Sequence, residues 1–458
     1  MSIEDRIKEL KKHRDADLPD WSKLKDEYDK SRHKVHSDIK FKNVSSKNLV
    51  KVDYGVQKLM CDRIVQLMNT IPIERVYEAK DEREEEASRI IEAVFTDNKI
   101  DTENNRRLHA YFASCEVVSM WTGVEQTHNR YGVPCNTRLR ISSSSPMERK
   151  YSRLNQADLY PVFDDFGDMQ GFGIGGLTRD DKEYFTFYTE NTIEEYVKEK
   201  NGWVGEVKEN PIGKIPLSYM FRMNPIYYGQ EHNVDTIETI ESSQAQIIKR
   251  NSAPVLAILG EMGSNFAEQE VDELERKTGV PREIINLTGG GDVKFVESPI
   301  NADAPDRVIK RIKRIIEEES QLPLDLGLEA LQGLGNVSGE ALKQVLMGAH
   351  LKVGQEQGEV IEFLDREIRV VKELLATALP KYADAIHSVK VENVITPFTM
   401  NDEGEDLNRN ILRLNNKLTS RRELMRKEGI SDADKLFDEI IEEDNMIQIS
   451  SPYISDIY

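Results

Sequence analysis

The sequence predicts an α+β chain that is mainly helical, and three stretches predict it. Residues 304–380 read as a helix, an apolar loop and a very long helix. Residues 124–222 change to glycines, aromatics and alternating patterns, the mark of an antiparallel sheet. Between helical patterns at 233–250 and 304–320 lies a short α+β insertion of strand and turn signals, about 252–300. Helix, mobile apolar loop and longer helix is an unusual order for an enzyme core. It suits a device that must line something.

Residues 1–40 are highly charged, with Trp21 and Tyr28 as large anchors. They read as a helical arm that orders against a neighbour. Residues 49–70 read as an amphipathic helix ending near Ile71 and Pro72. Residues 80–97 read as a second, with Ile90, Ile91, Val94 and Phe95 inward and Glu84, Glu85 and Glu86 on a solvated face. Residues 101–123 read as a third, carrying Tyr111, Phe112, Val117, Val118 and Trp121.

In the alternating block, 158–163, 171–176 and 183–189 read as strands, with a turn at 164–168. Asn191 can cap a short helix at 192–200, and 203–207 completes the sheet. The glycines of 171–176 resemble a nucleotide-binding fingerprint only superficially. No helix follows them, and glycine in strands marks bulges or close backbone approach.

Pro225-Ile-Tyr-Tyr-Gly229 is a breaker before the helix at 233–250. Residues 254–259 read as a strand, 269–278 as a small helix, and 284–287 and 293–296 as strands around a glycine turn. That turn is no P-loop, because no Gly-Lys-Ser/Thr follows. The flanking helices, 233–250 and 304–320, are expected to pair antiparallel and carry the insertion at their tip. In the second of them Val308, Ile309, Ile312, Ile315 and Ile316 recur at helical spacing. Arg307, Lys310, Arg311, Lys313 and Arg314 cover the other face, and Glu317, Glu318 and Glu319 close it.

The loop at 321–337 alternates Leu322, Leu324, Leu326, Leu328, Leu331 and Leu334 with Gly327, Gly333 and Gly335. Ser338 can then cap a helix that Pro380 stops. At about 1.5 Å per residue it would span roughly 60 Å. Gly348, Gly354 and Gly358 inside it each cost about 1 kcal/mol relative to Ala, so a bend or close packing is expected there. A long helix in an ordinary bundle is the plainer reading of the same periodicity. Beyond Pro380, 389–392 and 394–400 read as strands, and 406–414, 420–428 and 432–443 as helices.

A chain of 458 residues can hold two or three domains. Its formal charge of −20 argues against ordinary phosphate-neutralising nucleic-acid binding. It leaves room for a surface that lets DNA slide without gripping it. Cys61, Cys115 and Cys135 are widely spaced, which predicts free thiols in a reducing compartment. The charged start is no signal peptide, and no run reaches the roughly 20 apolar residues of a membrane span. His33 and His36 lie three apart on the charged arm without a visible partner set, and read as a solvated helix face, not a metal site. There is no Gly-x-Ser-x-Gly elbow and no His-Glu-x-x-His. No catalytic residue, metal site or cofactor is expected.

Four features, in order, carry a resemblance. They are Asn224-Pro-Ile-Tyr-Tyr-Gly229 before a helix; Gly289-Gly-Gly-Asp-Val-Lys-Phe-Val296 in the insertion; Ser338-Gly-Glu-Ala-Leu-Lys343 at the head of the long helix; and Leu418-Thr-Ser-Arg-Arg-Glu-Leu-Met425 near the end. Together they resemble the portal proteins of tailed bacteriophages, of the long-tailed, siphovirus type. The third is similar to that family's Ser-Gly-x-Ala-Leu-Lys. The resemblance implies a ring-forming portal fold with wing (1–232), stem helices (233–251 and 304–320), clip (252–303) and tunnel loop (321–337). The long wing helix and return strands would be 338–399, and a small crown with the tail 400–458.

It further implies a homo-oligomeric ring, a dodecamer, at one vertex of the virion, assembled in the host cytoplasm. The ring would pass double-stranded DNA during packaging and ejection. It would dock the terminase large subunit and later the head-completion or adaptor proteins, beside the major capsid and scaffolding proteins. Candidate tunnel-loop residues are Leu324, Asp325, Leu328, Glu329, Leu331, Gln332 and Asn336. The loop either crowds the opening or packs under the long helix. The basic stripe Arg307, Lys310, Arg311 and Arg314 either brakes DNA weakly or pairs with a neighbouring subunit's carboxylates. An acidic channel wall elsewhere would repel phosphates. The alternative is a structural ring or scaffold protein of another assembly without DNA passage.

Overall fold

The computed structural model describes residues 2–38, 49–178, 180–251, 303–324, 346–398, 410–417, 419–427 and 436–441. The arm folds as α1 (Ile3–Asp17), α2 (Trp21–Tyr28) and the short α3 (Val35–Asp38). The Ser2 and Asp20 side chains cap the first two by accepting backbone N–H groups. The arm does not wait for a neighbour. Trp21 and Tyr28 are buried in a helical core, and Ile3, Ile7 and Leu10 pack on a sheet of the same chain.

Helix α4 runs Val56–Asn69, so residues 49–54, expected to be helical, are not. A strand the periodicity did not show, β1 (Glu74–Glu78), precedes α5 (Glu82–Asp97). Ile90, Ile91, Val94 and Phe95 are buried as expected. Glu84 is buried too, against expectation. It accepts from Lys80 N at 2.7 Å and Ser388 Oγ at 2.6 Å, so hydrogen bonds replace its water.

Helix α6 ends at Ser114 (Ile100–Ser114), because Cys115 turns to φ 70°. The rest of the expected helix is β2 (Glu116–His128), which carries Val117, Val118 and Trp121. Then follow β3 (Cys135–Ser145), β4 (Asn155–Gln156), β5 (Asp158–Phe163), β6 (Met169–Leu177), β7 (Glu183–Tyr188), β8 (Thr192–Glu199), β9 (Gly202–Glu209) and β10 (Leu217–Phe221). One sheet has the order β10-β2-β3-β4, the other is the meander β5-β6-β7-β8-β9. The expected helix at 192–200 is thus β8. Antiparallel pairing sets its Tyr196 opposite Phe185, and cross-strand contacts override local helix preference.

The two sheets enclose Val118, Leu217 and Tyr219 with Leu159, Phe172, Ile174 and Tyr188. The glycine-rich strand has a packing reason. Gly173 and Gly175 lie opposite Phe187 and Phe185. A Cβ on Gly173 would sit 2.9 Å from Phe185 Cε2, and one on Gly171 2.6 Å from Phe187 Cζ. The aromatic rings occupy the space side chains would need, as the close-approach reading predicts.

The remaining helices are α7 (Glu231–Asn251), α8 (Asp303–Ser320), α9 (Met347–Ala378) and α10 (Ala383–Ser388), before β11 (Lys390–Val394). Strand β11 pairs antiparallel with β1, while residues 395–398 form no strand. The 32 residues of α9 reach about 48 Å. Val353, Val360, Leu364, Ile368, Val371 and Leu375 form its buried stripe. A Cβ on Gly354 or Gly358 would meet nothing within 4 Å among the described residues, so close packing by these does not explain the two glycines. The strands and helix expected within 252–302, and the helix start at 338–345, lie outside the described residues.

The chain divides into two compact units, residues 1–326 with 348–398, and residues 327–347 with 399–458. In the second, 410–415 and 436–441 are helical and α11 spans Arg421–Lys427. There Arg422 bonds Asp438 at 2.8 Å and lies 4.5 Å over the Phe437 ring.

Candidate functional site

The helix pair α7–α8 holds the residues of greatest interest. Val234, Ile237 and Ile240 share one core with Ile309, Ile312 and Ile316. Gln230, just before α7, donates to Glu319 Oε2 near the end of α8 at 2.9 Å, which makes the pair antiparallel. At about 100° per residue, Ile309, Ile312 and Ile316 fall on one side of α8, and Arg307, Lys310, Arg311 and Arg314 on the opposite side. All four cations are exposed. Arg314 bonds Glu318 at 2.8 Å, and Lys313 Nζ lies 5.4 Å from the Tyr54 ring. Val308 departs from expectation. It is 46% exposed, at the edge of the apolar face.

The exit from α8 is held by its own last turn. Gln321 adopts φ 59°. Ser320 Oγ accepts from Leu322 N at 3.2 Å, and Glu317 Oε1 from Leu324 N at 2.9 Å. Leu322 is fully buried and Leu324 half-buried against the helical core. The first turn of the expected tunnel loop therefore packs beneath the helices. Asp325, Leu328, Glu329, Leu331, Gln332 and Asn336 lie outside the described residues.

Residues 49–54 run along α7. Val50 N bonds Gln246 Oε1 at 3.0 Å, Val52 N bonds Ser242 Oγ at 2.9 Å, and Tyr54 N bonds Glu238 Oε1 at 2.8 Å. The match is geometric. Two residues of extended chain advance roughly 6.6 Å and four residues of helix roughly 6 Å, so alternate N–H groups meet every fourth side chain. His33 and His36 are also not a solvated face. His33 is buried between Glu238 and the Glu27 carbonyl, and His36 Nε2 lies 3.2 Å from Asp53.

Besides His33 and Glu238, two further buried pairs among the described residues escaped the periodicity. Arg107 on α6 meets Glu367 on α9 at 2.6 and 2.7 Å, and Trp121 Nε1 on β2 donates to the same carboxylate at 2.9 Å. Arg14 on α1 bonds Glu116, which also accepts from Tyr219 OH at 2.9 Å. Partners so far apart in sequence leave no local signal. The three cysteines are free and buried. Burial pushes the Cys115 thiol up to about 12 and Cys61 well above its ordinary value, so neither is a thiolate at neutral pH. Among the described residues no group of three or more His, Cys, Asp or Glu could hold a metal ion, and no helix is long and apolar enough to cross a membrane.

Comparison with known families supplies the frame for these parts. The family described as phage portal protein, SPP1 Gp6-like, matches residues 7–450. The chain belongs to that family. It is thus a virion component of siphovirus portal type, with a portal or connector role. Among solved structures it is similar to a chain of "Neck of empty GTA particle computed with C6 symmetry", at 12% identity, over 82% of this chain and 88% of that chain, with a TM-score of 0.35. That likeness is too slight to argue from. A comparison with curated proteins finds no match.

Proposed function

We propose that copies of this portal-family chain close into a ring at one vertex of a phage head and form the conduit for double-stranded DNA. The observation that carries the reading is the stripe on α8. A helix that buries Ile309 and Ile316 turns four cations directly away from its own core, on a chain of net charge −20. Phosphates passing close by are natural partners for such a stripe. In this reading α7 and α8 are the stem, and 252–303 is the clip. The clip docks the terminase large subunit during packaging and adaptor proteins afterwards. Residues 321–337 are the tunnel loop, 1–232 with 338–399 the wing, and 400–458 the crown, with capsid and scaffolding proteins around the ring.

Native mass spectrometry of the purified chain comes first, and a closed high-order oligomer is expected. A dimer with ligand-dependent activity would end the portal reading of these residues. Replacing Arg307, Lys310, Arg311 and Arg314 by Gln should leave the ring intact. It should also flatten the salt dependence of DNA binding, by about 0.9 in slope for each phosphate no longer neutralised. Rings that bind and package DNA unchanged would point instead to a ring scaffold in which the stripe pairs with a neighbouring subunit.

A further inference from the structure

We propose that His33 and Glu238 form a proton-held latch that fastens the N-terminal arm to α7 and loosens as the pH rises. The proton is required by geometry. His33 Nε2 lies 2.8 Å from the Glu27 carbonyl, which can only accept, so Nε2 carries a hydrogen. Nδ1 lies 2.6 Å from Glu238 Oε1, and that oxygen already accepts from Tyr54 N at 2.8 Å. A bare Nδ1 would set its lone pair against a carboxylate at that distance. A proton therefore sits between the two groups. Their side chains are 1% and 0% exposed, so water does not substitute for it. Glu238 Oε2 has no partner among the described residues, which leaves the proton and one N–H to stabilise the buried carboxyl.

The surroundings favour the protonated pair. Burial works against the charge on His33, but the bonds to Glu238 and the Glu27 carbonyl outweigh it and hold His33 above its ordinary value. The arm also presents Lys30, Lys34 and His36 to this region, the 49–54 run presents Asp53 and Tyr54, and α7 presents Glu231, Asp235 and Glu241. Lys30 pairs with Asp53 at 2.7 Å, Lys34 with Asp235 at 2.7 Å, His36 with Asp53 at 3.2 Å, and Tyr54 OH donates to Glu241 at 3.1 Å. Glu27 and Glu231 add negative charge nearby. A histidine raised in the folded state contributes its full stability below about pH 6.5, the unfolded value, and loses it as the pH climbs through the folded value. Glu238 then remains as a buried anion with only Tyr54 N–H. Tyr54 is the first rung of the ladder that continues through Val52 on Ser242 and Val50 on Gln246. Loosening it frees the whole α7 face that carries 238, 242 and 246.

Hydrogen–deuterium exchange of the full chain tests this, at about pH 6 and about pH 9, corrected for intrinsic rates. Residues 50–54 should lose about tenfold or more of their protection at the higher pH, tenfold being one pH unit of linkage, while α5 stays unchanged. In Glu238→Gln a single amide group stands where Oε1 met both His33 Nδ1 and Tyr54 N, so it cannot donate to one and accept from the other, and no buried carboxylate holds a proton on His33. That variant should lose the difference in protection between the two pH values. Equal protection of the native chain at both pH values overturns the latch, as does a Glu238→Gln chain that keeps the pH difference. Should Glu238→Gln not accumulate, exchange at the imidazole C2 hydrogen reads the titration of His33 directly. A midpoint above about 6.5 supports the latch, and one at or below it overturns it.

Discussion

Replacing Glu367 by Ala should be among the most damaging single changes in the first unit. Arg107 and Glu367 are 1% and 2% exposed at their side chains and meet in a two-pronged pair. The change removes three accepted hydrogen bonds, two from Arg107 and one from Trp121. The guanidinium stays buried, with only Asn104 and Ser119 among the described residues to accept from it. Stripping one partner from a buried pair costs about 3–5 kcal/mol, because the remaining charge keeps its desolvation penalty and loses its attraction. In a chain of this size, about 1 kcal/mol shifts the melting temperature by roughly 2 °C, so a fall of roughly 6–10 °C is expected. Trp121 fluorescence during thermal unfolding reports it, since that indole sits on the broken network. The double change Arg107→Met with Glu367→Leu leaves no ion stranded and should recover part of the loss. About 1–3 kcal/mol stays lost for the unpaired Trp121 N–H. A Glu367→Ala chain within about 1 kcal/mol of the native one would refute the reasoning, as would a double variant weaker than the single.

Two glycine substitutions should move stability in opposite directions. Gly173→Ala places a Cβ 2.9 Å from Phe185 Cε2 and 3.2 Å from Tyr160 Cβ, which should cost about 1–3 kcal/mol and lower the denaturant midpoint. Gly354→Ala adds a methyl where nothing among the described residues lies within 4 Å, and should raise the stability of an isolated subunit by about 1 kcal/mol. Loss of that gain in the assembled ring would show that a neighbour covers this face of α9.

Some of the molecule was readable from sequence alone. The helices α7, α8 and α9 follow from apolar spacing within a few turns, and α5 from Ile90, Ile91, Val94 and Phe95. Strands β5, β6 and β7 follow from alternation and their turn residues. The opposition of Ile309 and Ile316 to Arg307 and Arg311 follows from helical geometry. These are local properties, carried by residues within a few positions of one another. Tertiary structure decided the rest. Val117, Val118 and Trp121 satisfy a helical pattern as well as a strand, and pairing with β3 and β10 chose the strand. Thr192–Glu199 became β8 because β7 and β9 lie on either side. Glu84, Glu367 and His33 are polar residues that composition sends to the surface. Each is buried because a partner from a distant part of the chain replaces its water: Ser388 for Glu84, Arg107 for Glu367, and Glu238 for His33. Burial of a polar group depends on who meets it, and that meeting exists only once the chain has folded.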